Sequence, residues 1–237
     1  AALLAAALPQ ERAHAGHRLA GIEEKGDRVI ARFGNGASVE ADVLVGADGI
    51  HSAVRAALHP GEGEPPWNNL LIWRGATWVP PFLNGRTMII AGDERRRAVV
   101  YPMSPPRADG RVSMNWAVAR VAGPRERPER ADWNRTVPPE TFLPDFADLD
   151  FGWLDVPSVV RAGGEAYLYP MVDRDPLPRW THGRVTLLGD AAHAMYPMGS
   201  NGATQSIIDA RALAYHLATQ ADPAVGLAAY EAERRPV

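Results

Sequence analysis

Apolar and polar positions alternate along residues 28–33, and the pattern resumes over 37–40 after Gly34-Asn35-Gly36. That spacing predicts a hairpin with its turn signal in place. Residues 42–46 (D-V-L-V-G) form a short apolar run of the kind buried in a parallel sheet, closed by Ala47-Asp48-Gly49. Ser52 can cap a helix that passes through Val54 and Leu58 and stops near Pro60. After a Gly/Pro-rich border at 61–66 the texture changes. Stretches 70–79, 87–91, 98–103 and 111–121 are rich in β-formers and separated by turn residues, with no helix between them. They predict an antiparallel sheet. Short helices are expected at 140–147 and 154–161, and a strand at 165–169. Residues 184–188 (R-V-T-L-L) are a second buried strand, closed by Gly189-Asp190. Ala203, Ile207, Ala210, Ala214 and Leu217 then recur at helical spacing, and a last helix starts near Pro223. Residues 1–8 are apolar and lack a basic leader, so they read as the end of a helix stopped by Pro9.

The order α/β, antiparallel β, α/β gives the expected organisation. Residues 1–62 are the first part of a nucleotide-binding domain, 63–169 an inserted sheet domain, and 170–237 the second part of the first domain.

Composition narrows the function classes. Lys plus Arg is 25 and Asp plus Glu is 28 in 237 residues, a net charge of −3, so nucleic acid is not the expected partner. Without cysteine, thiolate metal sites, disulfides and Cys nucleophiles are excluded. Lys25 is the only lysine, which removes a Walker A lysine. Met198-Gly199-Ser200-Asn201-Gly202 has Met198 where a G-x-S-x-G elbow needs its first glycine. His14 and His17 have no nearby acid to complete a metal site, and no resident metal is expected. Arg95-Arg96-Arg97 reads as a solvated hairpin turn.

Two places share one logic. Each is a buried strand ending in Gly or Ala, then Asp, then a turn into a helix. Ligands of α/β sheets lie at the carboxyl ends of strands, where a carboxylate can accept hydrogen bonds from ribose or ribityl hydroxyls. Asp48 and Asp190 are therefore candidate ligands; either could instead be a turn or capping aspartate. Gly199, Asn201 and Gly202 precede a long helix, whose free N–H groups favour negative charge. A flavin ring edge or a phosphate would both suit that end, and a plain turn is the alternative. Of the aromatic residues, Trp73, Tyr101 and Tyr196 are the candidate substrate contacts.

The stretch Asp42-Val43-Leu44-Val45-Gly46-Ala47-Asp48-Gly49-Ile50-His51-Ser52-Ala53-Val54-Arg55 resembles the D-G motif of flavin-dependent aromatic hydroxylases of the para-hydroxybenzoate hydroxylase class. Gly183-Arg184-Val185-Thr186-Leu187-Leu188-Gly189-Asp190-Ala191-Ala192-His193 resembles their G-D motif, and Pro197-Met198-Gly199-Ser200-Asn201-Gly202-Ala203 the flavin loop that follows. Within the class, Ile72-Trp73-Arg74-Gly75 and the 169–178 segment look closest to the phenazine hydroxylases.

The resemblance implies a partial FAD-binding three-layer α/β (α+β) domain with an inserted antiparallel substrate sheet. It implies a cytoplasmic monooxygenase that uses FAD, NAD(P)H and O2 to hydroxylate a planar aromatic or phenazine-like substrate. In that class oxygen is delivered by a flavin C4a-hydroperoxide, so no catalytic protein nucleophile is expected. Gly189 and Asp190 would bind the ribityl or ribose end of FAD. Pro197, Gly199, Ser200, Asn201, Gly202 and Ala203 would line the isoalloxazine edge. Asp48 and Gly49 would support the cofactor and the reductant's approach. Arg55 would either neutralise the pyrophosphate or sit on a solvated helix face. A flavoprotein reductase or dehydrogenase, and a non-catalytic aromatic-binding module, share these motifs.

One departure matters. The class begins with a strand and G-x-G-x-x-G that seats the pyrophosphate, and no such motif exists in these residues. The sequence is therefore expected to be an internal piece of a longer protein, inactive by itself and weak in FAD binding.

Overall fold

The structure is a computed structural model and describes residues 6–124, 126, 135–196 and 201–236. The expected helix at 1–8 lies largely outside the described residues. The chain divides into two compact units, residues 1–66 with 173–237 and residues 67–172. Sequence texture puts the borders at 62/63 and 169/170; the contacts put them at 66/67 and 172/173.

The first unit opens with β1 (Leu19–Lys25), β2 (Arg28–Phe33) and β3 (Ser38–Ala41), an antiparallel meander. The sequence shows the β2–β3 hairpin but not β1, whose alternation is blurred by Gly21 and by the charged run Glu23-Glu24-Lys25. Gly26 at φ 63° makes the tight link between β1 and β2. β4 (Leu44–Gly46) follows, then α1 (Ala53–Leu58). Beside β4 lies a cleft of about 870 Å³ lined by His14, His17, Phe33, Val45 and Asp48, among others. His14 and His17 meet edge to face there, and His17 packs against Phe33.

The second unit is one antiparallel sheet. Its strands are β5 (Trp67–Val79), β6 (Ile89–Gly92), β7 (Arg96–Pro102), β8 (Val112–Val121), β9 (Thr136–Val137) and β10 (Ala166–Val172), in the order β6-β7-β8-β5-β10-β9. Alternation sends Leu71, Trp73, Val100, Met114, Trp116 and Val118 to one face. There they pack with Phe142, Phe146 and α2 (Val156–Arg161). The helix expected at 140–147 is instead two 3-10 turns, Pro139–Thr141 and Leu143–Phe146. Pro144 lacks the N–H that would carry a longer α-helix through. α2 starts later than expected because Asp155 caps it through the Ser158 N–H.

An ion network joins this sheet to those turns. Arg96 donates to both oxygens of Asp148 at 2.6 and 2.9 Å, and Arg120 reaches Asp145 at 2.6 Å. Arg120 also grips Glu126 through two bonds of 2.6 and 2.8 Å.

The chain then returns to the first unit with β11 (Val185–Leu187), α3 (Asp190–His193), α4 (Gly202–Thr219) and α5 (Pro223–Arg234). β11 pairs with β4 in parallel, with Val185 opposite Leu44 and Leu187 opposite Gly46. The core of this unit gathers Val29, Val54, Trp180, Leu187, Leu213, Leu227 and Tyr230. α4 exists as its spacing predicts, but it turns a different face inward. Asp209, Ala212 and Leu213 are buried, whereas Ile207 is 61% exposed and Tyr215 62%. Among the described residues no helix is long and apolar enough to cross a membrane.

Gly46 is the point where strand meets helix. A Cβ there would lie 2.6 Å from Val54 Cβ and 2.9 Å from Leu187 Cδ2. Gly46→Ala should destabilise the first unit by about 1–3 kcal/mol, the usual range for overpacking, measured by urea unfolding. An unchanged midpoint would contradict this packing.

Glu126 predicts an acid-sensitive term. The Arg120 hydrogen bonds, then the Gly123 N–H, pull its carboxyl down from 4.5 to about 2. A folded pKa below the unfolded one gives stability that is present above pH 4.5 and is lost as pH falls towards 2. Glu126→Gln should cost about 1 kcal/mol or less at pH 7, because the side chain is 42% exposed. The difference from the parent chain should vanish near pH 2, which unfolding at several pH values reads directly.

Candidate functional site

Each Asp turn leads from a strand into a helix, but the two carboxylates are used differently. After β4 the chain turns through Gly49 at φ 79°, and the Ser52 N–H closes on the Gly49 carbonyl at 2.9 Å. Asp48 Oδ1 accepts from the Ser52 hydroxyl. Its Oδ2 accepts from the Ala53 N–H at 2.7 Å and the Val54 N–H at 3.4 Å. Ser52 Oγ in turn accepts from the Arg55 N–H at 2.9 Å. Asp48 and Ser52 together satisfy the orphan donors of α1. Both Asp48 oxygens are engaged in capping.

Arg55 fits neither sequence reading. It is 1% exposed, so it lies on no solvated face, and its donors are all used inside the chain. Nε and Nη2 hold Glu62 bidentately. Nη1 donates to the Ala191 and Ala192 carbonyls at 3.1 and 2.9 Å, and Nη2 also to the Asp175 carbonyl at 3.0 Å. These five bonds exhaust a guanidinium, leaving none for a pyrophosphate. Local sequence could not show this, because three of the acceptors lie 120 or more residues away. The Arg55 hydrogen bond is also the largest influence holding the Glu62 carboxyl below its usual range.

Asp190 is the open carboxylate. β11 ends at Gly189, whose φ of 60° and ψ of −138° suit glycine alone. A Cβ there would meet Ser206 Oγ at 2.7 Å. Asp190 opens α3, is exposed, and makes no hydrogen bond among the described residues. Its Oδ1 lies 3.8 Å from where a Gly202 Cβ would be, which puts it beside the first turn of α4. Asn201 is the N-cap of α4, with no side-chain cap bond. The N–H groups of Gly202, Ala203 and Thr204 have no acceptor among the described residues. An acceptor-only carboxylate thus adjoins a helix start whose first N–H groups have no acceptor among the described residues. That combination fits a ligand with hydroxyls next to a partly negative ring edge, as a ribityl-flavin has. Pro197, Gly199 and Ser200 lie outside the described residues.

Behind this turn sits a group the sequence reading missed. Asp209, wholly buried, accepts from the Gly189 N–H at 3.1 Å, His193 Nε2 at 2.6 Å and Arg234 Nε at 2.7 Å. The usable signal was the one acidic residue of the helix 202–219.

The candidate substrate residues separate. Trp73 is a correction: it is 4% exposed and stacks on Phe142 at 4.9 Å, in the core. Its even neighbours on β5 set the register, so Trp73 shares the buried face with Leu71. Tyr101 lies on the opposite face, half-buried, paired with Asn115. That face also carries Arg74, Tyr167 and Tyr169, which the sequence did not single out as contacts. The two tyrosines stack at 6.3 Å, and the Arg74 guanidinium lies 5.8 Å from the Tyr169 ring. Tyr196 is half-buried at the last described position before 201. Among the described residues no cluster of three or more His, Asp or Glu could hold a metal ion.

A parallel strand pair ending in two Gly/Asp turns, interrupted by an antiparallel sheet, defines a nucleotide-binding fold with an inserted sheet. The chain belongs to the FAD binding domain family, which matches residues 4–237. It is 50% identical over 208 residues to phenazine 1,6-dicarboxylic acid hydroxylase PhzS of Lysobacter antibioticus, covering 86% of this chain and 51% of that protein. It is 32% identical over 216 residues to 3-hydroxybenzoate 6-hydroxylase 1 of Aquipseudomonas alcaligenes, covering 88% and 50%. Klebsiella pneumoniae HpxO, solved with FAD and uric acid, superposes with a TM-score of 0.75 at 25% identity, covering 93% of this chain and 54% of that one. The chain thus spans about half the length of these relatives.

Removing Arg55 should unfold the first unit rather than weaken a ligand. Arg55→Met leaves Glu62 with Arg174 alone, at 3.5 Å, and strands three carbonyls, at a cost of about 3 kcal/mol or more. Arg55→Lys, with three donors and no fork, should recover only part of this in denaturant titrations. A fully stable Arg55→Met chain would refute the clamp.

Proposed function

We propose that this chain supplies the ribityl and ring end of the cofactor site, together with the substrate sheet, of an FAD-dependent aromatic-ring monooxygenase. The enzyme uses NAD(P)H and O2 in the cytoplasm on a small planar aromatic or phenazine-like acid. The observation that carries the reading is the unbonded Asp190 carboxylate beside the start of α4, whose first N–H groups have no acceptor among the described residues. Family membership and hydroxylase relatives support it. Bound flavin supplies electron transfer from nicotinamide and the activation of oxygen. Asp190 would hold the cofactor by accepting from a ribityl hydroxyl. The start of α4 would favour negative charge at the ring edge. Asp48 and Ser52 hold α1, and Arg55 carries the α3 carbonyls, so the turn bearing Asp190 stays in place. On the inserted sheet, the open face with Tyr101, Tyr167 and Tyr169 offers rings for a planar substrate, and Arg74 a cation for its acid group.

The absence of G-x-G-x-x-G from these residues makes the test specific. The ADP half of FAD finds no phosphate cradle here, so FAD and riboflavin should bind this chain within about threefold of each other. Asp190→Ala should weaken both by about tenfold or more, the worth of a hydrogen bond to a charged group. Flavin fluorescence at trace ligand, with rising protein, reads both quantities. FAD binding orders of magnitude tighter than riboflavin, or an Asp190→Ala chain with unchanged affinity, would overturn this site assignment.

A further inference from the structure

Asp190 is held by nothing of its own: no hydrogen bond among the described residues touches its carboxylate, so its position is set by its backbone. That backbone is tied twice to one buried group. Asp209 Oδ2 takes the Gly189 N–H, just before α3, and His193 Nε2, at the last residue of α3. The two tethers bracket Asp190. The other oxygen, Oδ1, takes Arg234 Nε from α5, and Arg234 Nη2 reaches Gln205 Oε1 on α4 at 2.6 Å. Asp209 is thus anchored on α4, braced by α5, and pulls both ends of α3 to one point.

A buried carboxylate is a costly way merely to fill space. Replacing buried ion networks by apolar side chains is often neutral or stabilising. What an apolar residue could not do is bind an N–H and an imidazole at once and so fix a four-residue turn. Trp180 packs on the His193 ring at 5.2 Å, which limits its rotation and keeps Nε2 aimed at Asp209.

We propose that Asp209, acting through Gly189 and His193, is the positioning residue that sets the Asp190 carboxylate against the ribityl hydroxyls of a bound flavin. It touches no ligand itself. This inference rests on the flavin reading above.

The test compares riboflavin with lumiflavin, which has the same ring but no ribityl chain. Trace flavin fluorescence is followed as the purified chain is added. The parent chain should prefer riboflavin by about tenfold or more. Asp190→Ala should abolish the preference. Asp209→Asn and His193→Phe should abolish it too, while leaving lumiflavin affinity nearly unchanged. His193→Gln, whose amide can donate as Nε2 does, should restore it. In an Asp190→Ala background, Asp209→Asn should change the ratio no further. Should Asp209→Asn fail to fold, the His193 pair carries the same comparison with the Asp209–Arg234 bond intact. If both flavins weaken in parallel, Asp209 and His193 are only structural and the proposal falls. An undiminished riboflavin preference in Asp209→Asn or His193→Phe overturns it as well. A parent chain that binds neither flavin, or shows no preference, overturns the flavin reading itself and this proposal with it. Asp190→Ala keeping the preference removes the Asp190 assignment, a result distinct from either of the positioning failures.

Discussion

The first unit must be assembled from two stretches of chain separated by the inserted sheet, and the Arg55 guanidinium is where they are joined. It is buried, it carries charge, and it is bonded to Glu62 on its own side and to carbonyls of residues 175, 191 and 192 on the other. Parallel pairing of β4 with β11 does part of the same work but spans only three residues on each strand. A pairing that short is weak alone. The side-chain clamp adds direction: it pulls the carbonyl end of α3 towards α1, so the strand pair and both Asp turns are held as one arrangement.

That arrangement gives two similar motifs different work. Each strand ends in a small residue and an aspartate, and each leads into a helix. At Asp48 the following residues include Ser52 and free N–H groups within reach, so the carboxylate is consumed in capping. At Asp190 the helix is only four residues long and its start is tied elsewhere, through the Gly189 N–H to Asp209. Asp190 is itself the first residue of that helix, and the Ala192 and His193 N–H groups close on the Gly189 carbonyl at 2.8 and 2.9 Å, so its carboxylate is not drawn into capping.

Strands and the long helix were legible because they rest on local periodicity. β2, β5, β7 and β8 alternate plainly, and the α4 spacing is helical without ambiguity. Which face of α4 is buried was not legible. The apolar count favours Ile207 and Ala214, but a single carboxylate with three donors outweighs them and turns Asp209 inward. Trp73 and Tyr101 show the same limit on strands. Alternation says that neighbouring residues face opposite ways, yet only the helices and turns packed from 139 to 161 decide which way is core. Arg55 and its distant carbonyls exceed any local pattern altogether.

The flavin reading also separates binding from positioning. A dinucleotide gains much of its affinity from phosphates seated on a glycine-rich turn, and these residues contain no such turn. What the described residues do contain is a carboxylate that no hydrogen bond occupies, a helix start beside it and, on the inserted sheet, a face that carries tyrosine rings and arginines. Remote binding energy is useful to an enzyme when it is spent on holding the reactive part in one geometry. Buried ion pairs at Arg55 and Asp209 make poor adhesives, but each fixes several backbone groups at once. Under the proposed function, they suit the placing of a cofactor more than its capture.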